Sequence, residues 1–342
     1  MAKRSPSVSV LMPCYNAEAT LEEALDSLFC QSFTDFEIVA VDDGSTDRTG
    51  LILQRCSQED KRLRWLQQSH QGIVAALNAG LQACRSDLIA RMDADDCCHP
   101  MRLELQAAFL AEHPEVAVLG CRVEAIPHGQ VRQGLQIYLE WQNSLLTDAD
   151  IRREVFVECP LAHPSLMIRR NWLERVGGYQ EVGWAEDYDL VLRLYLAGAT
   201  FAKLPQVLLS WRERPERLTR SDRRYALENF LRAKAFYLAR GPCASRDAVI
   251  IWGAGMIGRR LGKHLLRQGV PLKAYADIDP RKIGGHRHGL PVLAPEALPG
   301  WWQGQSQPLL LAAVGARGAR PLIRRRLAAL GMQEGSDWLF TA

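Results

Sequence analysis

Between residues 7 and 121, short apolar runs alternate with amphipathic stretches, and this alternation constrains the fold more than any other feature of the chain. Val8 to Met12 reads as a strand, and Glu18 to Cys30 as a helix with Leu21, Ala24, Leu25 and Leu28 on one face. Phe36 to Val41 is a near-continuous apolar run, the pattern of a strand buried on both faces. A helix over Gly72 to Cys84, a strand over Leu88 to Met92, a helix over Met101 to Glu112 and a strand over Val116 to Gly120 continue the rhythm. Strands and helices in this order predict an α/β fold, a largely parallel sheet with helices on both faces.

The chain has 342 residues, more than one compact core usually takes, so two domains are expected. Asp222 to Arg240 reads as a helix, Gly241-Pro242 ends it, and a fresh strand–glycine–helix unit begins at Ala248. The expected division is therefore residues 1–240 and 241–342. A formal charge of +3 gives no reason to expect a nucleic-acid partner. Nine scattered cysteines without a Cys-x-x-Cys pair argue for a reducing compartment. The run Val8 to Met12 is broken by Pro13, too short for a secretory signal, and no stretch of 18 apolar residues predicts a spanning helix. The expectation is a cytoplasmic protein, with the inner face of a membrane as a further place of work.

Four polar features fall in order through this pattern. Pro13-Cys14-Tyr15-Asn16-Ala17-Glu18 follows the first strand, and Asp42-Asp43-Gly44-Ser45-Thr46-Asp47 follows Phe36 to Val41. Asp93-Ala94-Asp95-Asp96 follows Leu88 to Met92, and Glu186-Asp187 opens a later helix. Ligands of open α/β sheets sit in the crevice beyond the carboxyl ends of the strands, where the first three features lie. Each also has a bland explanation. Asp-Gly-Ser-Thr-Asp is good turn chemistry, and paired acids suit a helix N-terminus. Three carboxylates within four residues repel one another unless solvent or a cation compensates. Aspartate oxygens are hard ligands for Mg²⁺ or Mn²⁺, which also coordinate a sugar diphosphate and act as Lewis acids on that leaving group. Cys97, Cys98 and His99 are too closely spaced for a zinc site and read as core or loop residues. His163, in Pro160-Leu161-Ala162-His163-Pro164-Ser165, is either structural or the completion of a metal or diphosphate site.

The ordered set Pro-x-Tyr-Asn-x-Glu, Asp-Asp-Gly-Ser-x-Asp, Asp-x-Asp-Asp and Glu-Asp resembles the family 2 glycosyltransferases of the GT-A fold, over about residues 7–212. The resemblance implies an inverting, metal-dependent transferase that moves sugar from a nucleotide-sugar, usually a UDP-sugar, to a hydroxyl of a glycan or lipid-linked acceptor. It implies nucleobase contacts from Pro13, Tyr15, Glu18 and Asp43, and ribose and metal contacts from Asp93 and Asp95, with Asp96 behind them. It assigns the catalytic base to Asp187, beside Glu186, and His163 joins the candidate metal ligands. The Gln-x-x-Arg-Trp motif of the membrane-embedded processive members is missing, which favours addition of one sugar at a time.

From Ser210 to Arg240 there are nine basic and four acidic residues. This is either a solvated helix face or a cationic stretch in which Arg214, Arg217 and Arg220 meet the donor diphosphate, an anionic acceptor or an anionic membrane surface. Beyond it, Val249 to Trp252 leads into Gly253-Ala254-Gly255-Met256-Ile257-Gly258 and a helix, and a second strand ends at Asp277. This is a dinucleotide fingerprint in its proper context, with an acid positioned for a ribose. It predicts a small Rossmann-like domain whose Gly253, Gly255, Gly258 and Asp277 either hold a dinucleotide or nucleotide-sugar or only form a tight strand–helix turn. An NAD(P)-dependent nucleotide-sugar oxidoreductase, or a bifunctional sugar-modifying protein, is the competing reading. The missing Tyr-x-x-x-Lys pair weighs against the former.

Overall fold

The computed structural model describes residues 5–127, 131–213 and 222–342. They form two compact units. The first comprises Met1–Ile151, Pro160–Val182 and Glu186–Arg220, and the second Arg152–Cys159, Gly183–Ala185 and Ser221–Ala342.

The first unit is built on an eight-stranded sheet: β1 (Val8–Cys14), β2 (Phe36–Asp42), β3 (Leu63–Gln67), β4 (Leu88–Arg91), β5 (Cys97–Cys98), β6 (Val118–Ile126), β7 (Met167–Arg169) and β8 (Phe201–Arg212). Their spatial order is β3-β2-β1-β4-β7-β6-β8-β5. The first four are mutually parallel, β7 runs antiparallel to both β4 and β6, and β5 runs antiparallel to β8. Every residue of β2 is buried, as its apolar run predicts. The helices α1 (Leu21–Phe29), α2 (Thr49–Glu59), α3 (Ile73–Ala83) and α4 (Arg102–Glu112) carry the connections. The predicted face of α1, Leu21, Ala24, Leu25 and Leu28, is wholly buried. The edge strand β3 is absent from the sequence reading, because its Arg64 and Gln67 and its exposed Leu66 hide the period.

Close helix–sheet packing has one sharp requirement. A Cβ on Gly80 of α3 would lie 2.2 Å from Leu11 Cδ1 and 3.0 Å from Val41 Cγ2. Gly80→Val therefore overpacks the β1–β2 face and is expected to destabilise the fold by about 1–3 kcal/mol. Chemical denaturation checks this, and an unchanged midpoint would mean that α3 can move away from the sheet.

The second unit has a six-stranded sheet: β9 (Ala248–Trp252), β10 (Leu272–Ala276), β11 (His286–Arg287), β12 (Leu290–Leu293), β13 (Pro308–Ala312) and β14 (Trp338–Phe340). The order is β11-β12-β10-β9-β13-β14, parallel except for the β11–β12 hairpin. The boundary expected at Gly241 lies earlier in the chain. The helix Leu227–Arg240 belongs to this unit, where Glu228 Oε1 meets His264 Nε2 at 2.8 Å. Its buried Lys234 donates from Nζ to the carbonyls of Val157, 2.6 Å, and Thr341, 3.1 Å. Gly241-Pro242 is thus a turn inside a unit rather than a linker. Its helix-breaking chemistry reads the same in either setting.

Among the described residues, no helix is long and apolar enough to cross a membrane. All nine cysteines are free.

Candidate active site

In the first sheet the chain order reverses between β1 and β4, and the carboxyl ends of strands at such a reversal are where open α/β sheets place their ligand crevice. The loops around it are tied together by short polar bonds. Asn16, at φ 47°, donates its N–H to Ser45 Oγ (2.9 Å) and accepts from the Thr46 N–H at Oδ1 (2.9 Å). Glu18 N–H donates to Asp47 Oδ2 (3.0 Å), while the Glu18 carboxylate accepts from the Arg48 N–H and Nε, both at 3.1 Å. Thr20 Oγ1 donates to the Ala94 carbonyl (3.0 Å), which joins the first loop to the acidic one. The sequence Pro13 to Glu18 therefore acts as a frame, with Pro13 half-buried and Tyr15 exposed at the rim.

Asp42 and Asp43 are both buried at the end of β2. Asp42 Oδ1 accepts from the Ser45 N–H (3.0 Å), which closes the Asp-Gly-Ser turn. Asp43 anchors the loop before α3. Its Oδ1 accepts from the Gln71 N–H (3.0 Å) and Gln68 Nε2 (2.6 Å), and its Oδ2 from the Gly72 N–H (2.8 Å). His70 Nδ1 lies 2.9 Å from Asp43 Oδ2, and the His70 ring stacks on Tyr15 with centroids 4.1 Å apart. Sequence reasoning missed His70. Its signal is the neighbouring Gly72, whose φ of 92° marks a turn that brings the loop back to the strand end.

The acidic loop after β4 gathers Asp93, Asp95 and Asp96 so that one oxygen of each lies within 4.8 Å of the others. Among the described residues this is the one cluster of potential metal ligands of this kind. All the donors are carboxylates, a set suited to Mg²⁺ or Mn²⁺. Two arginines hold the loop from behind. Arg91, buried at the end of β4, pairs with Asp93. Arg212, at the end of β8, donates its N–H to Asp96 Oδ1 (2.8 Å), its Nε to the Asp95 carbonyl (2.7 Å) and its Nη2 to Glu23 (2.6 Å). Asp96 is fully buried, whereas Asp93 and Asp95 are half-buried. The loop thus divides into an internal brace and two acids nearer the crevice. Cys97 and Cys98 lie outside the cluster. Burial first, then the hydrogen bond and charge of Glu23, pushes the Cys97 thiol up to about 11, and burial raises that of Cys98, so both are kept protonated.

Asp187 stands in the first turn of the helix Glu186–Leu196, with Oδ1 accepting from the Tyr188 N–H at 2.7 Å. Burial, and after it the charge of Glu186, raises the Asp187 carboxyl to about 7 against a partial offset from Arg91. The Arg91 N–H donates to the Leu166 carbonyl (2.8 Å), which ties the end of β4 to the residue after the His-Pro-Ser turn. His163 does not join the acidic cluster. It is buried with Nε2 2.9 Å from the Tyr179 hydroxyl, and burial, with Arg91, holds its pKa well below the usual value. Tyr179 is in turn fixed by Asn78, which accepts from the Tyr179 N–H (3.0 Å) and donates to its carbonyl (2.9 Å). This pattern is that of a neutral, positioning histidine. Arg214, Arg217 and Arg220, singled out in the sequence, lie outside the described residues.

Comparison with known proteins adds an independent line. Residues 9–177 match the model of the family described as glycosyl transferase family 2. The amylovoran biosynthesis glycosyltransferase AmsE of Erwinia amylovora is 33% identical over 216 residues, 60% of this chain and 75% of that protein. The UDP-Gal:alpha-D-GlcNAc-diphosphoundecaprenol beta-1,3-galactosyltransferase of Escherichia coli is 28% identical over 243 residues, 70% of this chain and 86% of that one. Among solved structures, S. aureus TarS 1–349 in complex with UDP-GlcNAc superposes with a TM-score of 0.56 at 22% identity, over 76% of this chain and 72% of that chain. The last likeness is one of fold.

Proposed function

We propose that this chain, which belongs to glycosyl transferase family 2, is an inverting, metal-dependent glycosyltransferase that takes its sugar from a UDP-sugar and works in cell-surface glycan synthesis. The observation that carries this reading is the convergence of Asp93, Asp95 and Asp96 at the reversal point of the sheet. The relatives' names supply the biological setting: AmsE serves amylovoran biosynthesis, and the galactosyltransferase uses UDP-Gal and a diphosphoundecaprenol-linked acceptor.

In this reading Asp93 and Asp95 hold Mg²⁺ or Mn²⁺, and Asp96 with Arg212 keeps their loop in shape. An ion held there would supply Lewis-acid stabilisation to a departing nucleoside diphosphate. Pro13 and Tyr15 border the nucleobase, and Glu18 and Asp43 act on it through the loops that they hold in place. Asp187 accepts the proton of the acceptor hydroxyl, which attacks the anomeric carbon from the face opposite the nucleotide and inverts its configuration. A base at this position must be ionised, yet weak enough as an acid to take a proton, and a carboxyl raised by burial suits that task. Glu186 sets part of that rise through its charge. A lipid-linked or glycan acceptor would then be met at a membrane surface.

Nucleotide release tests the proposal directly. The full-length protein is incubated with UDP-Glc, UDP-Gal, UDP-GlcNAc and GDP-Man, with Mn²⁺ or with EDTA. At least one UDP-sugar is expected to release UDP in Mn²⁺ and not in EDTA. Release insensitive to EDTA would remove the metal, and a product of retained configuration by NMR would remove the single-displacement mechanism.

A further inference from the structure

A cavity of about 970 Å³ opens in the second unit beyond the carboxyl ends of β9, β10 and β13. It lies where the strand order of that sheet reverses, between β9 and β13. Its floor is the turn Gly253 to Ile257 that leads into the helix Met256–Arg267.

The three glycines of this turn are not equivalent. Gly253 has φ 116°, and a Cβ there would lie 2.8 Å from the Ala313 carbonyl oxygen. A Cβ on Gly258 would lie 1.8 Å from the Gly253 carbonyl oxygen. Chain packing accounts for both. Gly255 has an ordinary extended φ of −80°, and a Cβ added to it would meet nothing within 4 Å. Nothing in the fold requires glycine at that position, yet it lines the cavity beside a helix N-terminus that no side chain caps. Backbone bared toward an open cavity suits the close approach of a phosphate to N–H groups.

The remaining lining agrees in charge and shape. Arg325 lines the cavity and has no hydrogen bond or ion pair among the described residues. Met256, Ile278 and Leu322 are large apolar side chains on its wall, 52%, 69% and 59% exposed. An inorganic anion has no use for such a wall, whereas a nucleobase does. Asp277, expected to hold a ribose, is otherwise engaged. Its Oδ2 accepts from the Ala254 N–H (2.8 Å) and Lys282 Nζ (3.0 Å), and its Oδ1 from the Asp279 N–H (2.9 Å). Asp279 is paired with Arg281. The acids here hold the loop and its cations, so no carboxylate cluster stands ready for a metal. No Ser, Thr, Tyr, His or Cys occurs among the described residues that line the cavity, which speaks for binding rather than chemistry.

We propose that this cavity is a metal-independent binding site for a nucleoside diphosphate, free or esterified to a sugar, separate from the transferase site. The diphosphate rests on the N–H groups from Gly255 to Ile257 and on Arg325, and the base lies against Ile278 and Leu322. The binding site stands independently of the transferase reading, on which only the turnover control below relies.

Calorimetry on the full-length protein in EDTA, with UDP, GDP, ADP, UDP-GlcNAc, NAD and pyrophosphate as separate probes, tests it. Saturable binding of a nucleoside diphosphate or its sugar ester is expected, at least about tenfold tighter than pyrophosphate. Gly255→Val and Arg325→Glu should each weaken it tenfold or more and leave Mn²⁺-dependent donor turnover intact. Arg325 is exposed, so that variant remains informative even if the valine disturbs folding. Absence of EDTA-resistant binding overturns the proposal. So does equal affinity for pyrophosphate, binding of NAD alone, or affinity unchanged in a folded variant.

Discussion

Asp187→Asn is expected to lower the rate of sugar transfer by about 10²- to 10⁴-fold while Mn²⁺-dependent donor affinity stays within about twofold of the parent. The amide keeps the shape of the side chain and the bond from the Tyr188 N–H, but it cannot take a proton. The pH dependence has a definite sign. Burial and the Glu186 charge raise the Asp187 carboxyl to about 7, so below that pH the base is protonated and transfer falls about tenfold per unit, a limb that the asparagine variant lacks. Stability moves the opposite way. The folded chain keeps a proton that the unfolded chain releases near the ordinary carboxyl value of 3.8, so this group subtracts stability as pH rises from about 4 to 7. Asp187→Asn should therefore raise Tm at pH 8 and have less effect at pH 5. Near-normal turnover in the variant would move the base elsewhere, first to Glu186.

Asp95→Ala is expected to abolish Mn²⁺-dependent donor binding, a loss of about 10²-fold or more by calorimetry. Asp96→Ala gives the contrasting result. That side chain accepts from the Arg212 N–H inside the protein, and its loss leaves a donor unsatisfied at a cost of about 1–3 kcal/mol. Unchanged Mn²⁺-dependent affinity in Asp95→Ala would sink the metal assignment.

The parts of this architecture legible from sequence are those governed by local rules. Apolar runs such as Phe36 to Val41 announce buried parallel strands, and the carboxyl ends of such strands announce where acids will converge. The unread parts depend on partners far along the chain. Arg212 braces a loop 116 positions away, and nothing in Ser210-Trp211-Arg212 points to it. Arg91 looks like a strand residue that happens to be charged until burial sets it against Asp93. Asp43 and Asp277 carry the right side chain at the right place, but whether a carboxylate serves the chain or a ligand depends on which N–H groups fold against it. Likewise His163 is a fair ligand candidate by type, and its contact with the Tyr179 hydroxyl, 16 positions on, is not readable from the His-Pro-Ser run.

The divided second unit has a consequence for how the protein is made. The Val157 carbonyl emerges from the ribosome 77 positions ahead of the lysine that satisfies it, and that lysine 107 positions ahead of Thr341. At about 5–20 residues per second, this corner of the structure stays open for roughly 10–40 s. Trp184, whose ring rests on Phe236 and Tyr237, waits over part of the same interval. The sheet of the first unit can assemble during synthesis, but the segment Arg152–Cys159 must be carried unfinished until the last strand, Trp338–Phe340, has been translated. Slow elongation prolongs that exposed interval, and a stop codon placed before Thr341 makes it permanent.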